Sequence, residues 1–452
     1  MKIIIVGAGK VGYTLAQELS MENHHITLID HDAEVLNYAN ETLDLMCIKG
    51  NGASVEILKN TDIDETDLLL AVTSSDELNM ICCVIGKKLG AKYTVARVRN
   101  TDYSNEFKML QEELELDMVI NPEMDAATEI ARMIKFPSAT NVETFANNLV
   151  EMVEFRVLDS DPIINIKLME LNKKLPEKVL FCAVRRDNNV YIPKGNFEFH
   201  QDDLVYVAGE RGSILRFFKY LGRHPHKAKN ITIIGGSRIA VYLTWILQEL
   251  DIKVKIIEQD KDRCYLLNDI LNDTLIIHGD GTDQEVLDNE NIASADAIVS
   301  LTDRDEENLI TSLYAHQCGI PKVILKINRQ NYFPIITKLG LDSIVSPKFI
   351  TANNILRLVR ALDNSKGIAV EKLYRILDNE AEIAEFTAKK IPHLTDIQLQ
   401  DLKMKKDVLI AAILRDKKII IPNGNDLIKE KDKVIVVTKA GHITDLNEIL
   451  TD

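Results

Sequence analysis

The feature that most constrains the fold of this chain is an internal duplication. Gly7 aligns with Gly235 at an offset of 228 residues, and the surrounding segments, residues 4–9 (IIVGAG) and 232–237 (TIIGGS), are similar. Farther along, residues 50–52 (GNG) recur as 279–281 (GDG), and residues 192–196 recur as 421–425, both at an offset of 229. Self-similarity over such a distance predicts two halves built from the same units. A chain of 452 residues is also long enough for several domains.

Each half begins with a larger module in which short β-branched runs alternate with amphipathic helical stretches. This pattern predicts a Rossmann-like, doubly wound parallel sheet with helices on both faces. In the first half the predicted strands are residues 2–7, 25–30, 44–48, 67–72 and 93–98.

A smaller α+β module follows each larger one. Its signature is a pair of apolar runs on either side of a turn, which predicts a β-hairpin. The hairpins pair residues 179–186 with 190–193, and residues 408–415 with 418–422. Residues 222–229 (GRHPHKAK) form a short basic linker between the halves. The predicted domains are therefore residues 1–137, 138–222, 228–362 and 363–452.

Charge and hydropathy restrict the kinds of partner. A net charge of −15 and a pI near 5.3 argue against a surface that binds DNA, RNA or anionic lipid. The sequence has no apolar run of about 18 residues, and residues 1–6 enter a strand pattern directly, without a signal peptide. We therefore expect a cytoplasmic protein.

The first larger module carries a nucleotide-binding motif. Gly7, Gly9 and Gly12 form a G-x-G-x-x-G between the first strand and the first helix. In such motifs the glycines allow a tight turn, close approach of backbone amides to a pyrophosphate, and close packing of helix on strand. Asp30 ends the second predicted strand, where a carboxylate accepts hydrogen bonds from ribose hydroxyls and repels a 2′-phosphate. The motif therefore predicts NAD(H) rather than NADP(H).

Other residues at the carboxyl edge of this sheet complete the predicted site. Asn51 and Gly52 follow the third strand, Thr73 and Ser74 follow the fourth, and Arg97 ends the fifth. These residues either line the nucleotide site or have other roles. In the second case the first four form loop turns, and Arg97 forms a surface salt bridge. The predicted cofactor-binding residues of the first domain are Gly7, Ala8, Gly9, Lys10, Val11, Asp30, Asn51, Gly52, Thr73, Ser74 and Arg97.

The second larger module keeps only part of the motif. Glu258 takes the place of Asp30, but Ser237 and Ala240 replace Gly9 and Gly12. The Cβ of serine restricts backbone approach, whereas the charge of Arg238 could serve a phosphate directly. This module either binds a nucleotide, ATP/ADP or NAD(H), or is a purely structural repeat. Its predicted site residues are Gly235, Gly236, Ser237, Arg238, Ile239 and Glu258.

The sequence favours a regulatory protein over an enzyme. A nicotinamide enzyme needs a proton-transfer residue beside the reactive ring. None of the twelve tyrosines is followed by lysine four positions later, and the small modules offer little room for a substrate domain. An NAD-dependent oxidoreductase is the alternative.

Asp76 and Glu77, like Asp305 and Glu306, begin a predicted helix. There they complement the helix dipole, or else they contact a ligand or a second subunit.

Over nearly its full length the chain resembles the TrkA family, the peripheral subunits of Trk potassium-uptake systems, built from paired RCK (KTN) domains. The resemblance lies in residues 6–12, 30, 50–52, 71–79, 96–98 and 279–282, and in the tandem arrangement. It implies a homo-oligomeric ring that binds NAD(H) and adenine nucleotides and gates a membrane potassium transporter of the TrkH/TrkG type. The protein would contact the inner face of the cell membrane only through that transporter. The resemblance also implies that Gly7 to Val11, Asp30, Thr73, Ser74 and Arg97 line the first site.

Overall fold

The computed structural model describes residues 1–22, 24–103, 106–136, 138–146, 149–187, 189–223, 228–341, 343–364, 370–376, 380–439, 443 and 445–451. The chain divides into two compact units, one containing Met1–Ala131 with Ala228–Val359 and the other Arg132–Lys227 with Arg360–Asp452. Each unit thus combines one piece from each half of the duplicated sequence. Residues 224–227 of the predicted linker lie outside the described residues.

The first half of the chain begins with a parallel sheet in the order β3-β2-β1-β4-β5-β6. The predicted Rossmann-like fold is confirmed, with one strand, β6, that the sequence pattern did not reveal. The strands are β1 Lys2–Val6, β2 His25–Asp30, β3 Met46–Lys49, β4 Leu68–Ala71, β5 Tyr93–Arg97 and β6 Met118–Ile120. The helices are α1 Lys10–Ser20, α2 Ala33–Thr42, α3 Val55–Lys59, α4 Asp76–Leu89, α5 Phe107–Glu113 and α6 Pro122–Lys135.

The small module of this half forms an antiparallel sheet. The predicted hairpin is confirmed, because β9 pairs with β10 through Arg186 and Asn189. The strands are β7 Asn141–Phe145, β8 Val150–Arg156, β9 Leu180–Arg186, β10 Asn189–Tyr191 and β11 Leu204–Gly209, and their order is β10-β9-β11-β8-β7. The helices are α7 Leu168–Lys174 and α8 Arg211–Tyr220.

The second half repeats this plan. Its parallel sheet has the order β14-β13-β12-β15-β16-β17, and its antiparallel sheet has the order β18-β19-β22-β20-β21. The parallel strands are β12 Asn230–Ile234, β13 Lys253–Glu258, β14 Leu275–His278, β15 Ala297–Ser300, β16 Val323–Lys326 and β17 Ile344–Val345. The helices are α9 Arg238–Gln248, α10 Lys261–Ile270, α11 Gln284–Asn289, α12 Asp305–Gln317, α13 Phe333–Lys338 and α14 Pro347–Asn364. The antiparallel strands are β18 Val370–Ile376, β19 Ala381–Thr387, β20 Val408–Arg415, β21 Lys418–Ile420 and β22 Lys433–Lys439.

Burial follows from the parallel arrangement. Strands covered by helices on both faces must be apolar throughout. Accordingly, every residue of β4 (LLLA) is buried, and so is every residue of β1 after Lys2. The polar groups that remain available for chemistry therefore lie beyond the strand ends, in the loops at the carboxyl edge of each sheet.

The two larger modules contact each other within their unit. The side chain of Tyr242 on α9 is fully buried, and its hydroxyl accepts a hydrogen bond from the amide nitrogen of Asn121, 2.9 Å away. On the neighbouring helices, the Asn354 amide donates to the Asp125 carboxylate across 2.7 Å. These contacts join the domain that carries the first glycine loop to the domain that carries the second.

The two small sheets of the other unit share one apolar core. Phe145, Met152 and Tyr206 of the first small module pack in the same cluster as Ile383 and Ile435 of the second. The buried Glu385 carboxylate accepts the backbone N–H of Ala146 across 2.8 Å, which satisfies a polar group inside this core.

Candidate functional site

The first glycine loop forms a tight turn between β1 and α1 and is bonded to the neighbouring strand β2. Gly7 has φ +104°, a conformation that favours glycine, and its N–H donates to the carbonyl oxygen of Ile29. A Cβ on Gly12 would lie only 1.7 Å from the carbonyl oxygen of Gly7. The fold therefore requires both glycines, Gly7 for the turn and Gly12 for the packing of helix on strand, as predicted from the sequence.

Gly9 differs from its neighbours in the motif. Its φ of −66° is open to any residue, and a Cβ built on it would meet no protein atom within 4 Å. Neither backbone conformation nor packing explains a glycine here. Gly9 is the N-cap of α1, and no side chain caps the amides that follow. The position thus leaves space in front of the helix N-terminus, where an anion is stabilised by free N–H groups and the helix dipole.

Asp30 lies beside this loop at the end of β2. One carboxylate oxygen accepts the N–H of Ala8 at 2.6 Å, and the other accepts the N–H of Asp32 at 3.0 Å. His31 Nδ1 lies 3.0 Å from the same carboxylate. These contacts fix the orientation of the Asp30 side chain, which remains 12% exposed. The carboxylate is therefore positioned beside the glycine loop with lone pairs left to accept hydroxyl donors.

The opposite wall of the site is tied together by Asn79. Its side-chain oxygen accepts the N–H of Thr73 at 2.8 Å, and its amide nitrogen donates to the carbonyl oxygen of Arg97 at 2.8 Å. The Arg97 guanidinium in turn donates to the carbonyl oxygen of Thr73. Asn308 makes the same contacts to Thr302 and Lys326 in the second half. This buried amide fixes the ends of the fourth and fifth strands relative to each other.

Asp76 has a structural role that the sequence did not suggest. One of its carboxylate oxygens accepts the backbone N–H groups of Arg99 and Asn100, each at 2.8 Å. Asp305 binds the N–H groups of Asn328 and Arg329 in the same way. The acidic residues at the start of α4 and α12 therefore hold the loop after the fifth strand, in addition to complementing the helix dipole.

A cavity of about 1220 Å³ opens at the carboxyl edge of the first sheet. It is lined by residues of both larger modules, which belong to the same unit. From the first module the lining includes the predicted residues Gly7, Gly9, Lys10, Val11, Asp30, Asn51, Gly52, Thr73, Ser74 and Arg97. From the second module it includes Ser237, Arg238, Ile239, Arg263, Asp303, Lys326, Asn328, Pro347 and Lys348.

The lining of the cavity includes several arginine and lysine side chains. Arg97 is buried, its Nε has no hydrogen-bond partner, and burial together with the charge of Arg99 lowers the pKa of its guanidinium to about 10. Burial also lowers the pKa of Lys348; the charge of Asp305 opposes this shift, and the charge of Lys10 adds to it. Glu123 lies among Arg99, Arg97 and Arg238. Burial raises the pKa of its carboxyl, and the three arginine charges reduce this rise. Buried and partly buried cations that line a cavity suit a ligand that carries phosphate groups.

The second glycine loop has the same backbone path. Gly235 has φ +94°, and the Glu258 carboxylate accepts the N–H of Gly236 at 2.6 Å, as Asp30 does for Ala8. Ser237 adopts φ −66°, like Gly9, and its hydroxyl oxygen is buried without a partner. Arg263 donates from Nε to the carbonyl oxygen of Gly236 across 2.7 Å.

The structure thus brings most of the predicted residues to one cavity. Ala8, Gly235, Gly236 and Glu258 lie outside its lining, and the N–H groups of Ala8 and Gly236 bond the acidic residues of their own domains. Sequence reasoning missed further lining residues. Those with ionisable side chains are His31, Arg99, Glu123, Arg263, Asp303, Lys326 and Lys348. Arg99 and Glu123 lie on either side of β6, so the unrecognised strand hid their proximity.

Within the residues that the structure describes, no helix is both long and apolar enough to cross a membrane. In the same part of the chain, no group of three or more His, Cys, Asp or Glu side chains is arranged to hold a metal ion.

Comparison with known families identifies both kinds of module. The TrkA-N domain model matches residues 3–122 and 231–347, and the TrkA-C domain model matches residues 152–222 and 383–451. A Trk system potassium uptake protein TrkA homolog from Methanosarcina mazei is 34% identical, covering 99% of both chains. The Trk system potassium uptake protein TrkA of Haemophilus influenzae is 31% identical, covering 96% of this chain and 95% of its own.

Solved structures show the same fold at low sequence identity. A structure titled GsuK channel bound to NAD has a TM-score of 0.63 and 17% identity, covering 97% of this chain and 77% of its own. The crystal structure of the GsuK RCK domain also has a TM-score of 0.63 and 17% identity, covering 97% and 92%. A structure titled GsuK bound to ADP has a TM-score of 0.52 and 15% identity, covering 80% and 69%.

Proposed function

Because the chain belongs to the TrkA family, with its TrkA-N and TrkA-C domains each present twice, we propose that it is a nucleotide-binding regulatory subunit of a potassium-uptake system. In this proposal the protein binds NAD(H) or an adenine nucleotide in its first larger module. Occupancy of that site then controls a membrane potassium transporter. Relatives over nearly the full length of the chain are named as Trk potassium uptake proteins, which supports the assignment.

The observation that carries the proposal is the contrast between Gly9 and Gly12. Gly12 is required because a side chain would clash with Gly7, but Gly9 has neither a steric nor a conformational reason to lack one. A ligand that approaches the backbone closely supplies that reason. In dinucleotide-binding folds this position faces the pyrophosphate at the helix N-terminus.

The polar groups around Gly9 suit an adenosine nucleotide. Asp30, oriented by two backbone N–H groups, would bind the ribose hydroxyls, and its negative charge would repel a 2′-phosphate. Lys10 and the buried Arg97 would lie near the phosphates. GsuK has been solved with NAD bound and with ADP bound, so a related fold accommodates both kinds of nucleotide.

Regulation rather than turnover fits the cavity. Reduction of a carbonyl at nicotinamide needs a proton donor beside the ring. His31 contacts Asp30, at the ribose end of the proposed site. Glu123 lies among Arg97, Arg99 and Arg238, a setting that suits phosphate binding, although burial raises the pKa of its carboxyl. We therefore propose that the protein binds the nucleotide without converting it. Measurable oxidation of NADH by the purified protein would instead indicate an NAD-dependent oxidoreductase.

The shared cavity suggests how a nucleotide would act. A ligand that contacts Gly9 and Asp30 in one module and Arg238 in the other would stabilise one arrangement of the two modules over others. A ligand shifts such an equilibrium only by its differential affinity for the two states, and coupling energies of about 1–3 kcal/mol are typical. In a homo-oligomer on the inner face of the membrane, that shift would reach a transporter of the TrkH/TrkG type.

Calorimetry combined with flux measurement tests this function. Wild-type protein should bind NADH, NAD, ATP or ADP, and the same nucleotide should change potassium flux in vesicles containing the cognate transporter. Asp30→Ala should abolish binding and the nucleotide-dependent change in flux together. Glu258→Ala, which removes the corresponding carboxylate from the second module, is the matched control. Unchanged affinity in Asp30→Ala would refute the role of this carboxylate.

A further inference from the structure

The two glycine loops have the same frame but different surroundings. Both begin with a glycine at positive φ, and both donate a backbone N–H to the acidic residue that ends the second strand of their sheet. The third residue of each loop, Gly9 or Ser237, also has the same φ of −66°. Any difference in what the loops bind therefore arises from side chains, namely that of Ser237 at the position of Gly9 and those around the loops.

The main difference lies on the helix after the second strand. Arg263 on α10 occupies the position of Val35 on α2, at the same offset of 228 residues as the loops. Its Nε donates to the Gly236 carbonyl oxygen across 2.7 Å. A valine cannot make this contact. The guanidinium thus reaches from the helix to the loop in the second module only.

A second substitution brings the same helix against the loop. Leu267 stands where α2 has Ala39, and its Cδ1 atom would lie 2.4 Å from a Cβ built on Gly236. This close contact explains why the second loop has glycine at this position and the first has Ala8. The helix and loop of the second module are therefore packed together through both Arg263 and Leu267.

The cavity reflects this packing. In the first module its lining includes Gly7 and Asp30, the turn and the carboxylate of the glycine loop. In the second module the lining begins at Ser237 and includes Arg263, whereas Gly236 and Glu258 lie outside it. The cavity therefore reaches the ribose-binding corner of the first loop but not that of the second.

We infer that Arg263 closes the ribose-binding corner of the second glycine loop, so that the chain holds one adenosine nucleotide, in its first module, and not two. The inference rests on the proposed function for the identity of the ligand. It assigns Arg263 as the residue that decides which of the duplicated sites is used. A nucleotide at the second loop would have to displace the guanidinium from the Gly236 carbonyl before Glu258 could receive its ribose.

Binding stoichiometry tests the inference on the full chain. Equilibrium dialysis with saturating NADH, and separately with ADP, should give one nucleotide per chain for wild type and none for Asp30→Ala. Ser237→Gly alone should leave one nucleotide per chain, Arg263→Val combined with Ser237→Gly should raise the number to two, and adding Asp30→Ala to that pair should leave one. Val35→Arg is the matched control, because it gives the first loop the arginine of the second and should abolish binding. Combined with Ser237→Gly, Arg263→Ala removes the same guanidinium with a different side chain and should give the same stoichiometry as Arg263→Val. Thermal unfolding of every variant checks that a change in stoichiometry does not reflect misfolding.

Each outcome has a distinct meaning. One nucleotide per chain in both wild type and the Arg263→Val, Ser237→Gly double variant would overturn the inference and leave the proposed function intact. A nucleotide that persists in Asp30→Ala and disappears in Glu258→Ala would overturn the inference and also contradict the proposed site in the first module, because the second loop would then be the one that binds. No binding to wild type but one nucleotide on the double variant would support the inference and contradict the proposed function. No binding to either protein would contradict both.

Discussion

The hydroxyl of Tyr242, on the helix that follows the second glycine loop, accepts a hydrogen bond from the side-chain amide of Asn121 across 2.9 Å and donates to the Arg99 carbonyl across 3.2 Å. Asn121 and Arg99 belong to the other larger module, and Arg99 lines the nucleotide cavity. The position equivalent to Tyr242 in the first half is Thr14, so the contact has no symmetric counterpart. The duplicated modules are therefore joined asymmetrically, next to the proposed site.

Removing this hydroxyl should weaken the contact between the modules. In Tyr242→Phe, the buried amide of Asn121 loses its acceptor, which should cost about 1–3 kcal/mol of unfolding free energy. Urea denaturation monitored by circular dichroism measures the change. Tyr13→Phe is the control, because Tyr13 bonds Thr42 in an exposed position and its loss should have little effect. Equal stability of Tyr242→Phe and wild type would show that the hydroxyl contributes nothing to this contact.

The two glycines should respond to substitution in opposite ways. Gly9→Val should leave the melting temperature near that of wild type, since a Cβ meets no protein atom there, but should weaken nucleotide binding at least about tenfold, or about 1.4 kcal/mol. Gly12→Ala should lower stability by about 1–3 kcal/mol, because its methyl group would overlap the Gly7 carbonyl. Differential scanning fluorimetry and calorimetry provide the two readouts. A destabilised Gly9→Val with normal affinity would contradict the distinction.

Glu151 should make stability depend on pH. This carboxylate is buried in the small-module unit, one of its oxygens has no hydrogen-bond partner, and burial raises the pKa of its carboxyl to about 7 despite nearby Arg211 and Lys135. Between the unfolded pKa of about 4.3 and the folded value, the native state binds the extra proton. Stability is therefore lost as the pH rises through this range.

Glu151→Gln should remove that loss. The variant should gain stability relative to wild type as the pH increases from about 4.3 to about 7, and the difference should then stay constant. Thermal unfolding at a series of pH values measures it, with the exposed Glu170→Gln as control. A stability difference that does not change with pH would show that Glu151 has the same pKa in both states.

The parts of the structure that sequence could predict are those encoded locally. The alternation of apolar runs and the glycine motif predicted the parallel sheets, the hairpins and the position of Asp30 beside the first loop. The strand β6, Met118–Ile120, was missed because three residues are too short for a periodic signal. Without it, Glu123 had no predicted place in the cavity.

Contacts between the modules could not be predicted in this way. Arg238, Arg263 and Lys348 line the cavity together with Asp30, although they are more than 200 residues away along the chain. Their proximity depends on how the two larger modules pack, which no local pattern encodes. The roles of Asp76 and Asn79 were also hidden, because their partners are backbone groups that the fold brings together.

A crystal structure of the full chain grown with saturating NADH tests whether the first glycine loop binds the dinucleotide. We expect the pyrophosphate to contact backbone amides at Gly9 and the start of α1, with the adenosine ribose bound to the Asp30 carboxylate. A pyrophosphate bound elsewhere, or a first glycine loop without nucleotide when NADH is in excess, would contradict this expectation.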